Sequence, residues 1–467
     1  MRIVLWDTRK RDVTKDFSGG FGMGLYHGKR GFRGKIIRRM SQRDYRPVAL
    51  LYANLAGIFR KLGHEVQYSE NTIPTGFDLY VFNPSLITID LEREAIEKVL
   101  TQSPGAHILI TGVVGHTMPE LFADLDVTIV RGEAEQLFWK LDDVLATDEP
   151  TVEVGHVENL DDLPLPDWSL FSPRRFRVVY DFTKFPTAFI QQSRGCTFKC
   201  NYCPYILIEN RTRFFSPERV VEEMRYGMQA HGFRSFKFRD PLFGINRRRL
   251  MELIERMGRL PRKVQFSVES RIELMSREML KALREVGLTS ITVGIETPND
   301  NTLNHYKRKP IQEDLQQQFI ANCRELGIRT AAGFMIGFPE DTASSILRVL
   351  SYAKSLNPTV ANFNIVTPYP GTEFYEQMQH KISDLPITNY NMYTPVMDYE
   401  HLTREKVLSL HAKCFTSYYF RWPYLFDNMH LLWPVLRKVG VGRRFRTSTT
   451  DGVEAPTAIS SSLQPSA

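Results

Sequence analysis

The sequence predicts an α/β protein: a doubly wound, Rossmann-like domain over residues 1–156, a linker over 157–185, a partial (β/α)6 TIM-like barrel over 186–400, and a helical C-terminal extension over 401–446. Three observations predict it. Short runs rich in Val and Ile alternate with helical patterns up to residue 156; the alternation stops in a proline-bearing stretch and restarts at 187; beyond about residue 400 only helical, aromatic patterns remain. A length of 467 residues also asks for more than one core.

Taken in order, the first domain offers the strands RIVLWD, HEVQYSE, DLYVFNPS, HILITG and VTIVRG. Helical patterns intervene in PVALLYANLAGIFRKLG, LEREAIEKVL and EAEQLFWKLDDVLA. Near-continuous apolar strands spaced by helices imply a parallel sheet covered on both faces. In the stretch NLDDLPLPDWSLFSP, Pro164, Pro166 and Pro173 remove backbone donors and mark the linker. The second alternation gives the strands TAFIQQS, SFKFRD, KVQFSVES, SITVGIET, RTAAGFMIGF and VANFNIVTPY, with helices at about 217–231, 246–259, 276–287, 311–327 and 342–357. Ser216-Pro217 and Ser276 with Glu278 read as helix starts, and Gly232, Gly287 and Gly327 as stops. A barrel of this kind carries its active site at the carboxyl ends of the strands, so site residues are sought there. EKVLSLHAKCFTSYYFRWPYL and HLLWPVLRKVG continue as helices, and the small, polar residues 447–467 form a tail expected to be disordered.

A composition of 42% hydrophobic and 24% charged residues excludes collagen-like, coiled-coil and wholly disordered classes. The net charge of +7 permits an anionic partner without demanding nucleic acid. A nucleic-acid-binding protein would place basic and aromatic residues on one face, whereas Lys and Arg here concentrate at two distant places. The N-terminus turns charged too soon for a signal peptide, and no run approaches the roughly 18 apolar residues of a membrane span, so a reducing cytoplasm is expected. Cysteine usage agrees: of five cysteines, three fall within eight residues while Cys323 and Cys414 stand alone, which suits metal binding better than disulfides.

The sharpest motif is SRGCTFKCNYCPY, in which Cys196, Cys200 and Cys203 follow the first barrel strand with the spacing C-x3-C-x2-C. Three thiolates on one loop suit an iron-sulfur cluster with one open iron; structural zinc wants a fourth ligand, and the next histidine, His231, is far from finger spacing. With Tyr202 before the last cysteine, the motif resembles that of the radical S-adenosylmethionine superfamily. The resemblance implies a [4Fe-4S] cluster whose open iron chelates S-adenosylmethionine and whose electron cleaves it to a 5′-deoxyadenosyl radical. It also implies a flavodoxin- or ferredoxin-type electron donor. Tyr202 would pack beside the cluster and the adenine edge, or simply pack the loop.

Other strand ends fit the same family. GFMIGFPED resembles the fifth-strand motif, with Gly333, Gly337 and Glu340 in place and Met335 and Ile336 offset from the usual pattern. Asp240, in RDPLFGINRRR, stands where the family hydrogen-bonds the methionyl amine, although the usual Gly-Gly-Glu triplet is absent. SVESR and GIETPND supply Glu269, Ser270, Arg271 and Glu296. Among these, Arg271 suits the methionyl carboxylate and Glu296 the ribose hydroxyls, with ordinary rim salt bridges as the alternative. TPYPGTEFY resembles a segment of radical enzymes that carry an N-terminal cobalamin-binding domain.

That last likeness extends to the first domain, so the resemblance covers nearly all of residues 1–400 and implies cobalamin as a third cofactor. ITGVVGHTMPE and TIVRGEAEQ resemble the family's cofactor loops, which assigns Thr111, Gly112, Gly115, Arg131, Gly132 and Glu133 to cobalamin. One departure stands out: none of the eleven histidines follows an aspartate by two positions, so the D-x-H-x-x-G signature that supplies a lower axial ligand is missing. Residues 29–46 carry eight Lys or Arg against one Asp, either a grip for an anionic substrate or a solvated loop. RWPYLF and LLWPVLRKVGVGRRFR suit either peripheral contact with an anionic membrane or packing on the barrel. The resemblance implies cobalamin-dependent methylation of an unactivated carbon in a small-molecule substrate, anionic or lipid-linked. The rival is radical cyclisation, rearrangement or oxidation without methyl transfer from cobalamin. A methylthiolating enzyme is disfavoured because no cysteine precedes Cys196.

Overall fold

The computed structural model describes residues 1–10, 13–15, 17–24, 47–172, 176 and 183–428. The basic stretch 29–46, the tail 447–467 and most of the second half of the C-terminal extension lie outside them. Met1–Arg421 forms one compact unit, and a second unit begins at Trp422.

Two six-stranded parallel sheets carry the first unit. The first contains β1 (Arg2–Asp7), β2 (Glu65–Glu70), β3 (Leu79–Phe82), β4 (His107–Ile110), β5 (Thr128–Gly132) and β6 (Thr151–Gly155), in the order β2-β1-β3-β4-β5-β6. The strand order reverses between β1 and β3, which pair in parallel through Ile3↔Leu79 to Trp6↔Phe82, and this switch opens a crevice at the carboxyl edge. Val4, Tyr80, Phe82, Ile108 and Ile110 are almost wholly inaccessible, which accounts for the continuous apolar runs. The sequence reading has five strands; β6 is the sixth. It is an edge strand with Val154 as its one buried side chain, so its apolar periodicity is too weak to read.

The second sheet runs in chain order: β7 (Thr187–Ile190), β8 (Ser235–Phe238), β9 (Gln265–Ser270), β10 (Leu288–Glu296), β11 (Arg329–Ile336) and β12 (Val360–Ile365). Helices Pro217–Ala230, Arg247–Gly258, Arg277–Val286, Glu313–Glu325 and Ala343–Leu356 lie within a few residues of the expected bounds. Ser216 and Ser276 accept the backbone N–H groups of Arg219 and Met279, and Gly287, with φ of 122°, ends its helix.

The linker residues up to 172 are not a free tether. The Asp167 N–H donates to the Ala53 carbonyl at 2.9 Å, Arg60 pairs with Asp167, and Leu160, Leu163, Trp168 and Phe171 are buried. A side chain at Gly57 would strike the Leu165 carbonyl. Prolines exclude regular structure here, and the extended strap that results is pinned along helix Leu50–Lys61.

The extension also begins inside the first unit. In helix Arg404–Tyr419, buried His411 hydrogen-bonds the Phe363 carbonyl of β12 through Nε2 at 2.8 Å, and Tyr419 donates to the Ala361 carbonyl at 2.9 Å. In the second unit, Trp422 and Phe426 are exposed. Among the described residues no helix is long and apolar enough to cross a membrane.

Candidate active site

The cysteine loop leaves β7 through Gly195, whose φ of 81° and close approach to the Arg211 carbonyl leave no room for a side chain. Cys203 N–H donates to the Cys200 carbonyl at 3.1 Å, tightening the loop, and Asp240 accepts the Gln192 N–H at 3.1 Å and the Ser193 hydroxyl at 2.6 Å, anchoring its start. Burial pushes the Asp240 carboxyl up to about 7 against these donors. Asn201 ties the loop outward: its N–H donates to the Tyr306 carbonyl and its carbonyl accepts the Phe374 N–H at 3.0 Å. The TPYPGTEFY segment is thus bonded to the cysteine loop.

All three cysteines are free thiols. Burial pushes Cys196 up and Cys203 up to about 12, and the neighbouring Cys200 adds to the rise of each. Arg308 hydrogen-bonds the Cys200 sulfur, and Arg271 lies over the Phe198 ring at 4.1 Å. Among the described residues no three His, Cys, Asp or Glu groups converge on one ion-sized point.

Beside the loop, Glu296 sits at φ 65°, a backbone conformation costly for a side chain, with its carboxylate 3.4 Å from Arg308. A Cβ on Gly294 would strike that carboxylate, so glycine is what admits it. Burial raises the Glu296 pKa, and Arg308 and Arg271 oppose the rise. Arg271 is buried, paired with Glu273 and bonded to the Lys309 carbonyl at 3.0 Å, but its Nη1 has no partner; the buried Tyr202 hydroxyl has none either. Two buried donors without partners beside the cysteines fit a polar ligand. Tyr202 packs against a cluster that includes Tyr306, Phe338 and Phe374.

The remaining barrel candidates are engaged within the protein. Glu269 pairs with Lys237 at 3.1 Å and Arg239 at 3.0 Å, and Ser270 donates to the Phe243 carbonyl at 2.7 Å. Gly337, at φ 76°, donates its N–H to Asp341, forming the turn the motif needs, while Glu340 accepts the Tyr306 hydroxyl at 2.8 Å. Gly333 pairs with Gly294 across β10 and β11, and the nearest atom to a Cβ there is 3.8 Å away, leaving the backbone accessible.

An open cleft separates this loop from the carboxyl edge of the first sheet. Gly19, Gly20, Asn83, Gly112, Gly132 and Glu133 line its first-domain wall, and Gln191, Pro204, Tyr205, Glu209 and Arg239 its barrel wall. A Cβ on Gly19 would meet the Pro204 carbonyl oxygen at 2.5 Å and one on Gly132 the Gly155 carbonyl at 2.6 Å, so these are close backbone approaches. Of the predicted cobalamin residues, Gly112, Gly132 and Glu133 reach the cleft. Thr111 is buried and donates to the Phe82 carbonyl at 2.9 Å, and Gly115 packs on Ile110. Arg131 points to Glu153, 2.9 Å away, and to the His116 carbonyl. Neither it nor His116 lines the cleft.

Glu133 accepts the Val157 N–H at 2.9 Å and pairs with Arg213 and with Arg194, the latter at 3.2 Å. Burial pushes its carboxyl up, but Arg213 and Arg194 hold it below the usual range. Arg194 also reaches Glu135 at 2.7 Å and is itself fully buried. The sequence reading missed Arg194, Arg213, Arg308 and Gly294. For Arg194 the available signal was its place two residues before Cys196; the others had none, because their partners are distant in sequence.

Residues 190–353 match the model of the radical SAM superfamily. The chain is 26% identical over 396 residues to an uncharacterized methyltransferase of Pyrococcus horikoshii, covering 80% of this chain and 82% of the relative. It is 26% identical to the anaerobic magnesium-protoporphyrin IX monomethyl ester cyclase of Cereibacter sphaeroides, covering 74% of this chain but 58% of that one. Among solved structures, it resembles the radical S-adenosylmethionine methyltransferase TsrM of Kitasatospora setae with cobalamin and a [4Fe-4S] cluster bound. There the TM-score is 0.58 at 15% identity, with 81% of this chain and 78% of that chain covered.

Proposed function

We infer that this chain, a member of the radical S-adenosylmethionine superfamily, is a cobalamin-dependent C-methyltransferase acting on an unactivated carbon of a small-molecule, glycan or lipid precursor. The observation that carries the reading is the cleft: one wall is a glycine-lined switch-point crevice of the first sheet, the other is the chain directly after the cluster cysteines. A planar cofactor in that crevice lies beside the barrel mouth, where a substrate radical would form.

Bound there, the cluster with S-adenosylmethionine supplies hydrogen-abstracting power, and cobalamin supplies a transferable methyl group. The protein's part is holding and sheltering. Cys196, Cys200 and Cys203 ligate the cluster, and Arg308 balances their charge. Arg271 Nη1 and the Tyr202 hydroxyl offer donors to a polar ligand, and Glu296 accepts from hydroxyls. Gly112 and Gly132 let a macrocycle lie against backbone, and the buried first-domain contacts of the loop exclude water. The chain has no D-x-H-x-x-G motif, so no histidine of that motif would help to hold cobalamin.

The test is anaerobic reconstitution with iron, sulfide and hydroxocobalamin, then incubation of methyl-labelled S-adenosylmethionine with candidate acceptors and a low-potential flavodoxin or ferredoxin. Label transferred to carbon, with 5′-deoxyadenosine formed, supports methyl transfer. Deoxyadenosine and altered acceptor without label would favour the cyclisation or oxidation reading, which the cyclase relative motivates.

A further inference from the structure

The cysteine loop has two sides. Pro204 and Tyr205 face the cleft, whereas Thr197 and Lys199, between Cys196 and Cys200, are exposed to solvent. The loop is held against the turn that follows helix Asp300–His305. Asn201 N–H donates to the Tyr306 carbonyl at 3.2 Å, and Arg308 hydrogen-bonds the Cys200 sulfur. Arg271, which lies over the Phe198 ring at 4.1 Å, donates to the Lys309 carbonyl at 3.0 Å. The arginine that touches a cysteine sulfur thus stands between two exposed lysines, Lys307 and Lys309, and the exposed Lys199 follows the ring that Arg271 covers.

Glu373 pairs with Lys307 through both oxygens at 2.6 Å, and Glu273 pairs with Arg271. Among the described residues neither Lys199 nor Lys309 has a salt bridge or a side-chain hydrogen bond, so two uncompensated positive charges stand at the solvent face of the loop. A redox protein is too large to enter the cleft, and electron transfer between proteins needs only a close approach over a small contact. The exposed side of the loop brings such a protein within a few residues of the cysteine sulfurs, and unpaired lysines there favour an acidic one.

We propose that the face carrying Lys199 and Lys309 docks the electron donor, a small acidic one-electron carrier protein of the flavodoxin type. The assignment rests on the iron-sulfur cluster reading above and deepens it by naming the surface the partner uses. In the step it serves, the anionic hydroquinone of the flavin gives up one electron and becomes the neutral semiquinone, and the oxidised cluster takes up that electron; no bond is made and no proton moves. Exposed lysines act on the encounter rather than on the electron step, so they raise the association rate and make it fall with added salt.

The experiment uses the full chain, reconstituted anaerobically with iron and sulfide. Cluster absorbance is followed after mixing with excess flavodoxin hydroquinone and, separately, during photoreduction with deazariboflavin, a small uncharged reductant. Lys199→Glu combined with Lys309→Glu is expected to lower the second-order rate constant with flavodoxin at low ionic strength about tenfold and to abolish its fall with salt, while iron per chain and the deazariboflavin rate keep their wild-type values. Lys309→Glu alone, which leaves the cysteine loop untouched, is expected to lose about threefold. Wild-type rates and salt dependence with flavodoxin in both variants overturn the proposal. An equal loss with both reductants does so too, because it places the effect on the cluster and not on docking, as does a wild-type cluster that deazariboflavin reduces and flavodoxin does not. A wild-type chain that takes up no iron is a distinct result: it removes the cluster reading and the proposal with it.

Discussion

The two walls of the cleft are built by opposite means. The first-domain wall is largely backbone: Gly19, Gly20, Gly112 and Gly132 all have positive φ, and a side chain on Gly112 would collide with Asn83. The wall and loop on the barrel side are built from charge, with Arg194 and Arg213 against Glu133, all three buried, and half-buried Arg308 against Glu296. A flat, uncharged ring is held by a surface it can lie against, whereas an anionic cluster and a zwitterion need compensating charge. Glu133 and Glu135, just after β5, reach the arginines of the barrel side and join the two walls.

Removing the charged side's central ligand has the largest effect. Cys200→Ala is expected to reduce iron from about four per chain to near zero, measured on anaerobically reconstituted protein. Retention of a full cluster would break the assignment of the loop.

Arg194→Met comes next. It leaves Glu133 and Glu135 buried with less compensation, and a loss of about 3–5 kcal/mol in denaturant stability is expected. Wild-type stability in that variant would show that the ion pairs do not join the domains.

Acid stability separates the barrel wall from the barrel's far side. Burial lowers the His411 pKa to about 4, against an unfolded value near 6.5. Between those values the unfolded chain binds the extra proton, so stability falls as pH drops from about 6.5 to 4, by about 3 kcal/mol in all. Glu133 has the opposite origin and a lower window: its folded pKa is depressed, so its contribution is present above the ordinary glutamate range and is lost as pH falls through that range and below it. His411→Gln should flatten the first slope of a pH-dependent melting profile and spare the second; an unchanged first slope would place the titrating group elsewhere.

The smallest effect is expected on the backbone wall. Gly112→Ala must hold alanine at φ 82° beside Asn83, costing about 1–3 kcal/mol, with cobalt uptake weakened and iron uptake unchanged. Equal loss of both metals would mean that the walls are not separable.

The sequence by itself determined the order of the elements, the loop of Cys196, Cys200 and Cys203, and the turns at Gly112, Gly132 and Gly337, because apolar period, ligand spacing and glycine act over a few residues of chain. Strand β6 escaped it, since an edge strand with one buried side chain has little periodicity to show. Only the tertiary structure decided what the charged residues do. Arg194 and Glu133 lie 61 positions apart, Arg213 and Glu133 80 apart, and Glu269 finds its partners on β8 and just after it. It also turned Arg131 toward Glu153, away from the cleft that Glu133 enters from the same turn. The cost of burying a charge is recovered only from a partner brought close in space, and sequence separation carries no record of that distance.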